Sequence, residues 1–215
     1  MADIFTAALS GEREAPTPVA TAASGIGGIV WDEDTQTAAY TVRVAGVDFG
    51  PTLGMAPQTA DPGDDVTGMH VHNAARGVRG PVVFGQIGEE HDNDDLSIVP
   101  NADGSWTVRG IWEPTDPANV PITDFADALT TAPAGSDVPL YFVVHTMEFP
   151  TGELRGQWVA SGDRTIPAPA GEVLAAFDRV IAEFVADDTI PAPAGEALAV
   201  FGRAVAEFAD NFALG

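Results

Sequence analysis

Histidine is the residue type in this sequence whose spacing most clearly points to chemistry. His70 and His72 are separated by one residue in a predicted strand at 67–73, and His145 lies in another predicted strand at 140–147. Residues two apart in an extended strand project to the same face, so the imidazoles of His70 and His72 should lie side by side. If the second strand packs near the first, His145 can supply a third nitrogen to the same metal ion.

Imidazole-rich sites suit copper and zinc. Met147 is expected to share the face of His145, and a thioether there would favour Cu(I). The fourth histidine, His91, lies in the acidic stretch 89–95 and would become a ligand only if that loop folds back. Alternatively, the three strand histidines hydrogen-bond to one another and fasten two strands together. The sequence leaves the metal site and the structural cluster both open.

Other chemistry finds little support. The chain has no cysteine, no Gly-x-Ser-x-Gly elbow and no phosphate-cradling glycine loop. We therefore favour a non-enzymatic protein. The acidic loops 61–65 and 89–95 offer the oxygens that Ca²⁺ prefers. Neither loop matches an EF-hand or a glycine-rich calcium repeat, so we interpret both as solvated loops.

Charge restricts the partners. The 215 residues include 32 acidic and 9 basic side chains, the latter all arginine, and the formal net charge is −23. Such a surface repels phosphate backbones and anionic lipids, so we expect no nucleic acid partner. Membrane insertion is not expected either, since no apolar run approaches the roughly 20 residues that span a bilayer. The N-terminus lacks the pattern of a secretory signal peptide, which leaves the route of export open.

Turn-forming residues divide the first 160 residues into short segments with strand character. A helix is predicted at 122–130, where apolar residues recur three and four apart. Seven or eight strands with so little helix predict an all-β domain at 1–162, an antiparallel sandwich or barrel. Of the two, we expect a β-sandwich with Greek-key topology. The predicted strands cover residues 4–9, 27–31, 38–47, 67–73, 80–87, 106–112, 140–147 and 154–160.

The last part of the chain, residues 163–215, contains a tandem repeat. Segments 165–184 and 189–208 are identical at 15 of 20 positions, at a period of 24. Each unit combines a Pro-Ala-Pro spacer with a predicted amphipathic helix. We expect these helices to dock on another copy of the chain and build an oligomer or filament; alternatively, they pair with each other or lie on the β domain. The predicted docking residues are Leu174, Phe177, Ile181 and Phe184 in the first unit, and Leu198, Phe201, Val205 and Phe208 in the second.

Three local patterns in the β region form a family signature. The start reads FTAALSG at 5–11, the middle GMHVHN at 68–73 with GPVV at 80–83, and the end LYFVVHT at 140–146 with GELRGQ at 152–157. Together they resemble the CHRD domain, the module first named from chordin, over about residues 3–160. The resemblance implies an extracellular or cell-surface β-sandwich module of poorly defined biochemical activity. The tandem repeat lies outside it.

The predicted arrangement is also similar to the copper site of Cu/Zn superoxide dismutases, which likewise place a His-x-His on a β-sandwich. The disulfide, the bridging histidine and the zinc-loop ligands are missing, so superoxide dismutation is not expected.

We interpret Glu153 and Arg155 of the closing motif as a salt bridge; the alternative is that they guide an anion to the histidines. The expected function is a structural and assembly module with a histidine-based copper site. The alternative is a copper protein with redox or storage activity.

Overall fold

The computed structural model describes residues 2–87 and 94–165. Within these ranges the chain forms nine strands, one short α-helix and three 3-10 turns. The strands are β1 (Ala2–Ser10), β2 (Ser24–Asp32), β3 (Thr37–Ala45), β4 (Val66–Asn73), β5 (Val82–Phe84), β6 (Ser97–Pro100), β7 (Trp106–Trp112), β8 (Asp137–Thr146) and β9 (Leu154–Thr165), and the helix is α1 (Ala126–Thr131).

Backbone hydrogen bonds join all nine strands into one sheet, in the order β5-β4-β8-β9-β1-β2-β3-β7-β6. Every neighbouring pair is antiparallel. The two edge strands, β5 and β6, are the shortest, with three and four residues. Short edges limit the number of unpaired backbone groups that another chain could pair with.

The sheet is strongly curled, as its aromatic contacts show. Trp112 on β7 and Trp158 on β9 are four strands apart, which is about 19 Å across a flat sheet at the usual strand spacing. Their ring centroids are 5.6 Å apart. Phe84, on the edge strand β5, lies 5.2 Å from Trp112 near the opposite edge. The antiparallel all-β prediction is confirmed, but one curled sheet replaces the two separate sheets of a sandwich, because its halves fold over a common core.

Alternation along the strands produces that core. In β7, buried residues alternate with partly exposed ones from Trp106 to Trp112, as expected for a strand with one face inside. Tyr40 stacks on Trp112 with ring centroids 3.8 Å apart. Trp158 is fully buried, and further rings surround it: Phe5, Phe84 and Phe142. Burying each large apolar side chain contributes about 1.5–3 kcal/mol, so this cluster dominates the stability of the domain.

Several sequence predictions differ in detail from the structure. β6 was not predicted, since its four residues, Ser97–Pro100, contain only two β-branched apolar side chains. The predicted helix at 122–130 is a 3-10 turn, Ile122–Phe125, followed by α1. The last strand continues to Thr165, five residues past the predicted strand end at 160, because Thr165 still pairs with Ala2 of β1.

The predicted helices of the tandem repeat, with all their docking residues, lie outside the described residues. Within the described ranges, no helix combines the length and the apolar character needed to cross a membrane.

Replacing Trp112 with alanine should lower the free energy of unfolding by about 3–5 kcal/mol, because it opens a cavity beneath Tyr40 and Trp158. Chemical denaturation monitored by circular dichroism measures this change. The control is Val99→Ala on edge strand β6, where 41% of the side chain is exposed and the expected change is within about 0.5 kcal/mol. Equal effects of the two substitutions would contradict the proposed role of the aromatic cluster.

Candidate metal centre

The three histidines lie on the outer face of the curled sheet. His70 and His72 belong to β4, and His145 belongs to its neighbour β8. The alternate residues of β4, Met69 and Val71, enter the core. Because successive side chains of a strand point to opposite faces, the histidines project away from the core. Period-two alternation therefore separates a hydrophobic face from a polar one on the same two strands.

The three imidazoles converge, as the sequence predicted. The Nε2 atoms of His70 and His145 are 3.0 Å apart. The ring centroids of His70 and His72 are 4.7 Å apart, and those of His72 and His145 are 6.4 Å apart. Each ring offers one nitrogen within 4.8 Å of the nitrogens of the other two. One ion could contact all three after small side-chain adjustments.

Backbone carbonyls orient two of the rings. Nδ1 of His72 lies 2.8 Å from the carbonyl oxygen of Gly80, and Nδ1 of His145 lies 3.1 Å from that of Pro150. A carbonyl only accepts, so each Nδ1 carries the proton and each neutral ring keeps a lone pair on Nε2. This second hydrogen bond is typical of metal-binding histidines, whose tautomer and orientation it fixes.

The Nε2 atoms of His145 and His72 differ in their hydrogen-bond partners. Nε2 of His145 accepts its hydrogen bond from Nε2–H of His70, because His145 already has its proton on Nδ1. Nε2 of His72 is buried and has no hydrogen-bond partner. A buried polar atom without a partner costs about 1–3 kcal/mol. The cost would be recovered if a metal ion accepted that lone pair, so the donor set fits a metal.

Burial keeps these rings neutral. Burial, with smaller contributions from the neighbouring His145 and His72, lowers the pKa of His70 to about 3. Burial is also the largest cause of the lowered pKa of His72 and of His145. Desolvation penalises the charged imidazolium. The neutral form, which is the one that coordinates metal ions, therefore prevails at neutral pH.

Gly80 cannot be replaced by a larger residue without moving the loop that anchors His72. A Cβ atom there would lie 1.9 Å from the carbonyl oxygen of Asn73. This close approach lets the Gly80 carbonyl reach His72 while its N–H donates to the hydroxyl of Tyr141 at 2.9 Å. The glycine of the GPVV motif thus holds a ligand in place.

Tyr141 and Arg155 form a stack beneath His72. Tyr141 is paired with His72 across β4 and β8, and their rings are 5.1 Å apart and nearly parallel, at 13°. The guanidinium carbon of Arg155 lies 3.5 Å from the centroid of the Tyr141 ring. Such a cation–π contact is strongest when it is desolvated, and Arg155 is only 1% exposed. The stack restricts the orientation of the His72 ring.

The predicted salt bridge between Glu153 and Arg155 is wrong. Arg155 donates instead to the carbonyl oxygens of Val78 and Ala75, at 2.8 and 3.0 Å. The Glu153 carboxylate accepts from hydroxyl groups on other parts of the chain, those of Thr21 and Thr146. Both side chains are satisfied by separate partners, because the strand order brings different loops against each of them.

Met147 and His91 are the two remaining predicted ligands. Met147 lies one residue past the end of β8 and is 62% exposed, so the strand alternation that placed it beside His145 does not extend to it. Its role as a ligand stays a prediction. His91 lies outside the described residues, as does most of the acidic loop 89–95.

The acidic loop 61–65 contributes to a cluster of carboxylates. Oxygens of Asp64 and Asp65 lie within 4.8 Å of each other and of Asp48. Asp48 is fully buried and accepts backbone N–H groups, among them that of Gly50 at 2.7 Å. This carboxylate holds its own loop together, so the structural interpretation of the cluster is sufficient. Calcium binding stays a minor prediction.

Sequence reasoning assigned no role to Gly80 or Tyr141, although both lie in the quoted motifs. Alternation would have found Tyr141, since it lies four residues before His145 in one strand and therefore shares its face. No local signal marks the anchoring role of the Gly80 and Pro150 carbonyls. It depends on how two loops fold back onto the sheet.

The fold and the cluster define an all-β module that carries three converging histidines on the outer face of its sheet. The chain belongs to the CHRD domain family, whose model matches residues 5–158. CHRD domains are typically extracellular. No curated protein and no solved structure shows significant similarity to the chain. The matched region contains every residue of the histidine cluster and its supporting stack.

The metal-free protein should lose stability as the pH falls from 7 to 5. The pKa of His70 is lowered in the folded state, so the unfolded chain takes up protons below its ordinary value near 6.5 while the folded protein does not. Between pH 6.5 and 5, this one residue should cost up to about 2 kcal/mol. Denaturant titrations with a chelator, at each pH, should show a shallower dependence for His70→Gln. Parallel pH profiles for the two proteins would contradict the buried, neutral state of His70.

Proposed function

We propose that this chain is an extracellular CHRD module that binds one copper ion through the Nε2 atoms of His70, His72 and His145. The observation that carries the proposal is the buried, unpartnered Nε2 of His72, in a cluster where each of the three rings offers one nitrogen within 4.8 Å of the nitrogens of the other two. The Nδ1 hydrogen bonds of His72 and His145 support it, because they leave the Nε2 lone pair of each ring free for a metal ion.

Copper is the preferred ion on general grounds. Three imidazole ligands suit both copper and zinc, and Cu²⁺ binds most tightly of the divalent first-row ions at a given site of this type. On binding, His70 gives up its Nε2 proton, which the hydrogen bond to His145 holds in the metal-free protein. Metal binding would therefore move this proton to Nδ1 of His70, because the ligand ring stays a neutral imidazole.

The bound ion could serve either of two functions, a structural role or a redox or storage role. A structural role requires only that the ion tie β4 to β8, the neighbouring pair of strands that carries all three ligands. A redox or storage role requires that exogenous molecules reach the ion. The partial exposure of His70 and His145 favours access from solvent, and three protein ligands leave a coordination position open. We keep the structural and assembly role as the main proposal and the redox or storage role as the alternative.

Protein purified without chelator and then loaded with copper should retain one copper per chain. His72→Ala should weaken copper binding by at least the 10- to 100-fold that loss of a supporting residue alone causes. Elemental analysis and competition with a chromophoric chelator measure both quantities. Zinc is tested in parallel, and tighter binding of zinc would contradict the preference for copper.

The matched control is Asp64→Asn, which alters the acidic cluster and leaves the histidines intact. Copper binding should be unchanged in this variant. If Asp64→Asn and His72→Ala lose copper equally, the ion is held by surface carboxylates and the proposal fails. Unchanged binding in both variants would also refute it.

The assembly role of residues 163–215 remains part of the proposal and rests on the duplicated apolar pattern of the sequence. A chain ending at Thr165 keeps the whole of β9 and its pairing with β1. We expect this shortened chain to be a folded monomer and the full chain to form larger species. Light scattering on both proteins gives their masses. Equal masses at equal concentration would exclude assembly through the tail.

A further inference from the structure

The electrostatic surroundings of the three histidines are opposite in sign to the rest of the chain. The sequence carries 32 acidic and 9 basic residues. Yet among the described residues, the charged side chains outside the cluster that influence the pKa of His70, His72 or His145 are Arg79 and Arg155. Among the same residues, no carboxylate is a cause of these pKa shifts. The cluster is thus a locally cationic position on a strongly acidic protein.

Arg79 lies where the two anchoring loops meet. It directly precedes Gly80, whose carbonyl orients His72. Its Nη2 donates a long hydrogen bond, 3.4 Å, to the carbonyl oxygen of Thr151. Thr151 directly follows Pro150, whose carbonyl orients His145. The guanidinium therefore bridges the two backbone segments that hold the ligand rings.

Of the three arginines Arg76, Arg79 and Arg155, Arg79 is the one that is both exposed to solvent and free of a salt bridge among the described residues. Arg155 is buried beneath Tyr141, and Arg76 forms a salt bridge with Asp137 at 2.6 Å. Arg79 is exposed and, within the described residues, its recorded hydrogen bond is the long one to Thr151. Its charge is available to a ligand that arrives from solvent.

The nearby carboxylate of Glu14 is poorly placed to neutralise this charge. Glu14 is 9% exposed, and its Oε2 has no hydrogen-bond partner. Burial raises its pKa, which favours the neutral acid. Its carboxyl group packs against Gly152, where a Cβ atom would lie 2.9 Å from Oε2. Burial therefore weakens the compensation that Glu14 gives to the positive charge of Arg79.

The cluster has an open side. Gly68 is the residue of β4 paired with His145. A Cβ atom at Gly68 would meet nothing within 4 Å. A small molecule can approach His145 along this side without displacing a side chain.

We infer that the metal-loaded site takes a small monoanion, a carboxylate or an inorganic anion, as its exogenous ligand, and that Arg79 attracts it. This inference rests on the proposed metal site. A divalent ion on three neutral imidazoles adds two positive charges beside two guanidinium groups, so an anion is the ligand that the local field favours. Arg79 acts through its charge at the open coordination position.

The test uses the full chain loaded with Cu²⁺ and azide as the probe, at low ionic strength because salt screens an exposed charge. Azide should bind at the copper and produce a ligand-to-metal charge-transfer band that saturates. Arg79→Gln should raise the azide Kd about five- to tenfold, and Arg79→Lys, which keeps the charge, should restore it to within about twofold. Acetate should compete with azide in the wild-type protein.

The matched control is Arg43→Gln. Arg43 lies on β3, away from the histidines, and forms a salt bridge with Asp103. Its azide Kd should equal that of the wild type. Copper content is measured for every variant. If copper is retained and azide does not bind, or binds equally well to Arg79→Gln, the anion inference is overturned and the metal site stands. If the wild-type chain retains no copper, the proposed function fails and the inference fails with it.

Discussion

The hydrogen bonds between β4 and β8 fix the register on which both faces of this domain depend. They place His72 opposite Tyr141 and Gly68 opposite His145. In the same register, Val71 and Phe142 are paired and point into the core. A shift by one residue would move every side chain of β4 to the other face. It would bury imidazoles among aromatic rings and expose apolar residues to water, so the hydrophobic core and the histidine cluster specify the same register.

The curl of the sheet has a similar double effect. It brings Trp112 and Trp158 into contact, although four strand steps separate them. It also leaves the convex side of β4, β8 and β9 free to carry polar residues, which the loops then cover. The buried Arg155 contributes on this side, because it holds the loop carbonyls of Ala75 and Val78 while it stacks on Tyr141. The closing motif thus supports the site through the loop that anchors His72.

Sequence reasoning reached the all-β class, eight of the nine strands in the part of the chain that the structure describes, and the three converging histidines. These features have local signals, namely period-two alternation, turn residues and the His-x-His spacing. The single curled sheet has no such signal, because a strand's own residues do not record which distant strand it pairs with. The salt bridge predicted between Glu153 and Arg155 failed for a related reason. Proximity in sequence predicts contact only when no other loop offers either side chain a better partner, and here Thr21 and Ala75 do so.

The sequence by itself determined the strand content, the acidic surface and the presence of the imidazoles at strand positions with a common face. It also determined the family, since the matching motifs are local strings of residues. Only the tertiary structure decided which nitrogen each ring presents, because the carbonyls of Gly80 and Pro150 come from loops that fold back onto the sheet. The tertiary structure likewise decided that two arginines, Arg79 and Arg155, act on the histidines of an acidic chain. Net charge is a sum over residues, whereas the field at a site depends on the distances that folding creates.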